Sequence, residues 1–385
     1  YKVEHYQQNL AGDAFVLFET EEQNATTDTH VSATPKDYTG FTYDGTVDGT
    51  VTEGNVAGDG SLVLKLYYTR DSYKVTYQYT GKVPTGASEL PAETTEKYGA
   101  AVTVAADATA PGYTFSGWSR EDGFTMPAEN VTITGSFTAN GETPYKVEHW
   151  QQNLEDDGYT LAETENLTGE TDTTATANPK TYTGFAFDGT AEGTVASGNI
   201  AGDGSLVLKL YYTRNSYDVA YAYTGTVPTG ASALPEKATV KYGAPVTVAE
   251  AATAPGYTFS GWSRNDFTMP AENVTITGSF TANSNTEYTV RHHFQNILDD
   301  AYDADTAMLS ETLSGTTDTL TAAAAKTVAG FTAQSFQQKN IAGDGSTVVD
   351  IYYNRNSYTV TYAVTGTVDP NPNYKQADYR FGQNV

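Results

Sequence analysis

The chain has 385 residues, a formal net charge of −26, 38% hydrophobic residues, 29 Tyr and no Cys. Without Cys there is no disulfide scaffold and no Cys-ligated metal site, and so acidic a chain cannot present the broad basic face that nucleic acid requires. No apolar run approaches the ~20 residues of a membrane helix, and no basic-then-apolar leader stands at Tyr1, so the chain is expected to begin inside a mature protein.

Self-comparison organises the rest. Ala57–Arg70 (AGDGSLVLKLYYTR) recurs at Ala201–Arg214, Ala110–Arg120 (APGYTFSGWSR) at Ala254–Arg264, and Thr125–Asn140 at Thr268–Asn283. The long repeat divides into two sequence-unlike units, A and B. The expected modules are A1 (1–72), B1 (73–144), A2 (145–216), B2 (217–287), A3 (288–357) and a truncated or atypical B3 (358–385). Each A unit opens on Tyr-Lys-Val-Glu-His or its diverged form at Tyr288, and closes on Tyr-Tyr-x-Arg at Arg70, Arg214 or Arg355. Joints of two to four residues are too short for flexible linkers.

Along A1, Leu62, Leu64, Leu66 and Tyr68 alternate with Val63, Lys65 and Tyr67, which predicts a strand buried on both sides for part of its length. In B1, Tyr73, Val75, Tyr77 and Tyr79 share one face of a second strand, and Val131, Ile133 and Phe137 mark a third. Gly58–Ser61, Pro84–Ala87 and Ala110–Gly112 read as turns. One short helix per A unit is expected, at Thr26–Pro35, Thr171–Pro179 and Ala322–Lys326. Units of about 70 residues are marginal alone, so neighbours are expected to pack end to end, with Tyr67, Tyr68 and Tyr73 filling the A–B contact. The expected class is mainly β, α+β and β-grasp-like, a tandem array of small modules in an extended rod.

The B units resemble the Listeria–Bacteroides repeat, also known as the internalin B-repeat. The resemblance is carried by Tyr-x-Val-x-Tyr, Tyr98-Gly99-Ala100, Gly112–Trp118 and Asn130–Thr134, with counterparts at Tyr242-Gly243, Gly256–Trp262 and Asn273–Thr277. The A units resemble mucin-binding-protein (MucBP-like) repeats through their Tyr-Lys-Val-Glu-His opening, Lys36–Phe41 and the closing Tyr-Tyr-x-Arg. Both resemblances imply small β-grasp-like modules in surface proteins of Gram-positive bacteria, with stalk or adhesin roles and no catalytic residues to transfer. B3 departs from the pattern at Asp369-Pro370-Asn371-Pro372.

Candidate chemistry is sparse. His5, His149 and His292 recur on the first strand of each A unit, which suits a packing residue better than a metal ligand or general base. His292 and His293 point to opposite faces of a strand. The Asp/Gly turns offer one carboxylate each, too few for calcium, and Glu155-Asp156-Asp157 and Asp299-Asp300 are the denser acidic clusters. Leu90-Pro91-Ala92-Glu93-Thr94 is a loop rather than a sorting signal. Trp118 and Trp262 suit a core role as well as a sugar platform. Trp150 stands where A1 has Tyr6 and A3 has His293, and this variable aromatic position is the candidate ligand-binding site. No catalytic, metal or cofactor residue is assigned.

The expected function is a non-enzymatic stalk in a Gram-positive cell-surface protein, extracellular and monomeric, holding a functional tip away from the wall. The alternative is an adhesin region whose modules bind host mucin glycans, immunoglobulin or another host protein, the expected partner being a host glycoprotein. Neither nucleic acid nor membrane insertion is expected.

Overall fold

The computed structural model describes residues 1–302, 309–362, 365–366 and 376–385; the departure at Asp369–Pro372 lies outside them. By internal contact the chain forms two compact units. The first comprises Tyr1–Gln151, Tyr159–Lys180 and Phe187–Tyr212, and the second Gln152–Gly158, Thr181–Ala186 and Thr213–Val385.

A1 contains β1 (Lys2–Gln8), β2 (Phe15–Glu22), β3 (His30–Ser32), β4 (Phe41–Tyr43), β5 (Glu53–Asn55) and β6 (Val63–Arg70). B1 contains β7 (Ser72–Thr80), β8 (Thr94–Lys97), β9 (Ala101–Val102), β10 (Tyr113–Phe115), β11 (Phe124–Thr125) and β12 (Val131–Ala139). The sheet of A1 runs β2-β1-β6-β4, and that of B1 runs β8-β7-β12-β10. In both, the first and last strands of the module lie parallel at the centre and antiparallel strands flank them. In both, a two-stranded sheet, β3-β5 or β9-β11, is contributed by the segments on either side of an edge strand. A and B, unlike over most of their sequence, therefore share one topology. A2 repeats that of A1. A3 repeats the four-stranded sheet and keeps a Leu320–Asn340 bridge on the line of the small sheet.

Alternation sets the core. Val3 and His5 of β1 pair with Leu64 and Leu66 of β6. All four are buried, as is Tyr68. Val31 and Ala33 pack against this cluster from the β3 side. In B1 the core is Val75, Val102, Met126, Val131 and Ile133, with Tyr73, Tyr77, Trp118 and Phe124 packed on it. Trp118 is a packing residue: its ring lies parallel to Tyr79 at 5.8 Å, and its indole N–H donates to the Ala106 carbonyl at 3.0 Å. Phe115 and Phe137 are partly buried beside it.

The described residues contain no helix, so the α+β and β-grasp expectation is corrected to all-β. The three stretches expected to be helical are extended. Thr26–Pro35 is rich in Thr, whose branched side chain suits strands, and it forms β3 beside β5. Thr171–Pro179 forms the equivalent strand Thr174–Thr176, paired with Ser197–Asn199. In Ala322–Lys326, side chains take the backbone groups a helix would use. Tyr288 Oη accepts from the Ala322 N–H, Gln338 bonds both the N–H and C=O of Ala323, and Tyr353 Oη accepts from the Lys326 N–H.

The tail opens with the first hairpin of a B unit. Ser357–Val360 pairs with Ala377–Arg380 in the register that Ser72–Val75 makes with Thr94–Lys97 in B1. Phe381-Gly382 then stands where B1 has Tyr98-Gly99.

Candidate functional site

The aromatic position singled out by the sequence lies on the sheet face opposite the A core. Because β1 alternates, Tyr6 faces away from Val3 and His5, and it pairs across to Tyr67 of β6. The two rings stack at 5.0 Å, and Phe15 meets Tyr67 edge-on at 5.1 Å. A2 repeats the group: Trp150 stacks on Tyr211 at 6.1 Å, with Tyr159 edge-on at 4.9 Å. A3 repeats it with His293 on Tyr352 at 4.7 Å and Tyr302 edge-on at 5.1 Å. The three sites are thus equivalent within their own modules.

A charged pair explains why the ring varies. Tyr6 Oη donates to Glu4 at 2.6 Å, and Trp150 Nε1 donates to Glu148 at 3.1 Å. In A3 the cross-strand pair Glu–Lys becomes Arg291–Asp350, so the carboxylate changes strand. His293 Nε2 meets Asp350 there at 2.8 Å, and since a carboxylate only accepts, this nitrogen carries the proton. The position calls for a flat ring with one polar hydrogen, which Tyr, Trp and His all supply. The bond to Glu4 raises the Tyr6 hydroxyl to a pKa of about 12, burial adding to it. Lys65 lies 5.9 Å from the Tyr6 ring centre and Lys209 lies 5.8 Å from that of Trp150, within cation–π reach.

The recurrent histidines face the core, as packing residues. His5, His149 and His292 are at most 1% exposed. Each Nδ1 meets a buried tyrosine hydroxyl, that of Tyr68, Tyr212 or Tyr353, at 3.0, 2.9 and 2.8 Å. Those hydroxyls accept from the N–H of Lys36, Lys180 and Lys326. The hydroxyl proton therefore goes to His Nδ1, and Nε2–H is left facing Glu21, Glu165 or Glu311. Lys36, Lys180 and Lys326 close the set by pairing with these same glutamates. Burial holds the His5 and His149 imidazoles below their ordinary pKa, against the pull of Glu21 and Glu165. The sequence showed the recurrent His but not its partners, which lie about 60 residues away along the chain.

The acidic turns are spent locally. Asp59, Asp203 and Asp344 each accept from the N–H two residues on, at 3.0 Å. Asp156 accepts from Asn153 and the Gly158 N–H, and Asp299 from Asn296 and the Ala301 N–H. Among the described residues no three His, Asp or Glu side chains are grouped to hold a metal ion. Nor, among the described residues, is any helix long and apolar enough to cross a membrane.

The seams between modules are the most repeated geometry. At A1–B1, Arg70 Nη1 donates to the Tyr98 carbonyl at 2.8 Å and Nε to the Gln8 carbonyl at 3.1 Å, while the guanidinium covers Phe41 at 4.6 Å. The Tyr98 ring lies on Gly40, at φ +76°, where a Cβ would enter the ring. Arg355 does the same with Phe381, Gln295 and Phe331, and Arg214 with Tyr242, Gln152 and Phe185. This corrects the expected filling. Tyr67 belongs to the outer aromatic group, Tyr68 to the A core, and Tyr73 leans on Asp71. The signal was present in the closing Arg, which stands immediately before each two-residue joint that follows an A unit, at Arg70, Arg214 and Arg355.

Residues 73–141 and 221–284 match the divergent InlB B-repeat domain. B1 and B2 are thus repeats of the InlB type; the matched segments leave the A modules outside. No curated protein matches the chain. Among solved structures, Streptococcal High Identity Repeats in Tandem (SHIRT) domains 3–4 from a cell surface protein are 15% identical, covering 35% of this chain and 96% of that chain, with a TM-score of 0.15.

Proposed function

We propose that this chain is a non-enzymatic stalk region of a bacterial cell-surface protein, extracellular on a Gram-positive wall, which holds a functional tip outward. The observation that carries this reading is the seam. The same Arg, aromatic and glycine set closes A1–B1, A2–B2 and A3 with its tail hairpin. A stalk needs a defined joint repeated at every step, since a flexible joint would let the tip fold back. The InlB-type match of B1 and B2 supports a surface repeat region. The charge of −26 supports a self-repelling, monomeric chain with no affinity for nucleic acid. Scattering from this chain, and from a chain with one added A–B pair, tests the role. A stalk gains a constant increment in maximum dimension per added pair; an unchanged maximum dimension defeats the reading.

A second reading rests on the outer face of the A modules, whose sequences resemble mucin-binding repeats. Tyr6, Trp150 and His293 each form part of a three-ring group with a carboxylate beside it. Flat rings beside hydrogen-bonding groups suit a sugar of a host glycoprotein, mucin or immunoglobulin, and repeated sites would gain by avidity. Titration of purified mucin and immunoglobulin into the chain and into Trp150→Ala separates the readings: binding lost in the variant favours the adhesin, and no binding by either favours the stalk alone.

A further inference from the structure

The B-to-A seam is built twice from the same parts, and A1 carries one half of it without the other. In B1–A2, the Pro111-Gly112 turn of B1 lies on A2. Thr171 Oγ1 donates to the Gly112 carbonyl at 2.8 Å, and the Thr171 N–H donates to the Asn140 carbonyl at 2.9 Å. Tyr113 Oη and Lys82 Nζ bond Asp172. A Cβ on Gly202 would strike the Pro111 carbonyl, so the backbones touch there. B2–A3 reproduces this with Thr317 on the Gly256 carbonyl at 2.8 Å and on the Asn283 carbonyl at 3.0 Å, with Tyr257 on Asp318, and with Gly343 under Pro255.

A1 has the same receiving surface. Thr27, Asp28 and Gly58 align with Thr171, Asp172 and Gly202. The shape is also preset: Asp28 holds φ +67°, against +65° at Asp172 and +64° at Asp318. Its N–H donates to the Val56 carbonyl at 2.9 Å, as those of Asp172 and Asp318 do to Ile200 and Ile341. Yet Thr27 is exposed, whereas Thr171 and Thr317 are each 2% exposed. Nor does A1 itself call for the glycine. A Cβ on Gly58 would meet only the Thr27 side chain, at 3.6 Å and farther, an ordinary contact.

We propose that Thr27, Asp28 and Gly58 form a docking socket on A1 for a B-type module, which enters by its Pro-Gly-Tyr turn. The chemistry selects that occupant. The socket offers a hydroxyl and an N–H to two carbonyls, a carboxylate to a tyrosine hydroxyl, and a side-chain-free floor on which only bare backbone fits. B1 and B2 present all three complements, and their turns are already engaged by A2 and A3. The proposal stands independently of the stalk reading, because it concerns recognition and not projection.

The test places a second copy of residues 73–144 ahead of Tyr1 in the full chain and follows amide hydrogen exchange. The expected result is at least tenfold slower exchange at Thr27, with loss of that gain in extended chains carrying Thr27→Val or Gly58→Val. Gly58→Val in the unextended chain is expected to leave A1 unchanged. Unchanged exchange at Thr27 beside a folded added module overturns the proposal, the residues then being inherited copies without a partner. So does destabilisation of the unextended chain by Gly58→Val, which would make the glycine a need of A1 alone. Concentration-dependent association of the unextended chain that Thr27→Val abolishes would assign the socket to a second copy and overturn the stated occupant.

Discussion

Arg70→Ala tests the A–B seam at its centre. The substitution removes two hydrogen bonds from a charged donor, to the carbonyls of Tyr98 and Gln8, and the guanidinium cover over Phe41. Hydrogen bonds to charged groups contribute about 1.5–3 kcal/mol each where buried, and a cation–π contact near the surface about 0.5–1 kcal/mol. Arg70 is only partly buried, so water replaces part of what is lost, and the expected cost to the joint is about 2–4 kcal/mol. Arg70→Lys should recover less than half of it, because an ammonium lacks the fork that reaches two carbonyls from one plane. The assay is denaturant-dependent hydrogen exchange at the Tyr98 and Gly99 amides, which bond the Asp71 and Met126 carbonyls beside the seam. A cost below about 0.5 kcal/mol, the level of an ordinary surface change, would refute the view that this arginine locks the joint.

Gly112→Ala places a side chain at φ +74° against the Gly202 backbone; it should cost the B1–A2 seam about 1–3 kcal/mol, read as faster exchange of the Thr171 amide, while the B1 core stays protected. Met126→Ala empties a site with no exposed surface in the B1 core and should destabilise that module by about 2–5 kcal/mol in denaturant unfolding. Acid should loosen A1 and A2. His5 and His149 are neutral in the fold and held below the ordinary value of 6.5. Protons therefore bind the unfolded chain first, and stability present above pH 6.5 is lost as the pH falls from there through the lowered folded values. Unfolding midpoints at pH 7.5 and 5.5 check the sign; a higher midpoint in acid would mean that Glu21 and Glu165 stabilise charged imidazoles.

Much of the fold is written locally and could be read. The alternation of Leu64, Leu66 and Tyr68 marks the central strand, and the Gly-Asp-Gly-Ser turns precede it. The shared topology of A and B could not be read, because sheet order depends on which distant strands pair, and Lys2–Gln8 reaches Val63–Arg70 across the whole module. The helix expectation failed at Thr26–Pro35 and Thr171–Pro179 because Thr, Asp and Ala before Pro satisfy a helix start as well as an extended segment, and pairing with the distant Glu53–Asn55 and Ser197–Asn199 decides between them; at Ala322–Lys326 the distant Tyr288 and Gln338 take the backbone groups instead. At the aromatic site, the variation among Tyr6, Trp150 and His293 was visible. Its reason, a polar hydrogen aimed at a carboxylate that changes strand in A3, needed the cross-strand register.

The central claim is that A1, B1 and A2 are joined in turn by defined seams. Because the chain has no Cys, spin labels can be placed on introduced thiols alone. The exposed positions Asp48 in A1, Glu121 in B1 and Glu192 in A2 serve for this. Distance distributions from the pairs Asp48→Cys/Glu121→Cys and Glu121→Cys/Glu192→Cys should be single and as narrow as a pair within one module. Broad or multiple distributions across either seam would show a hinge and contradict the account.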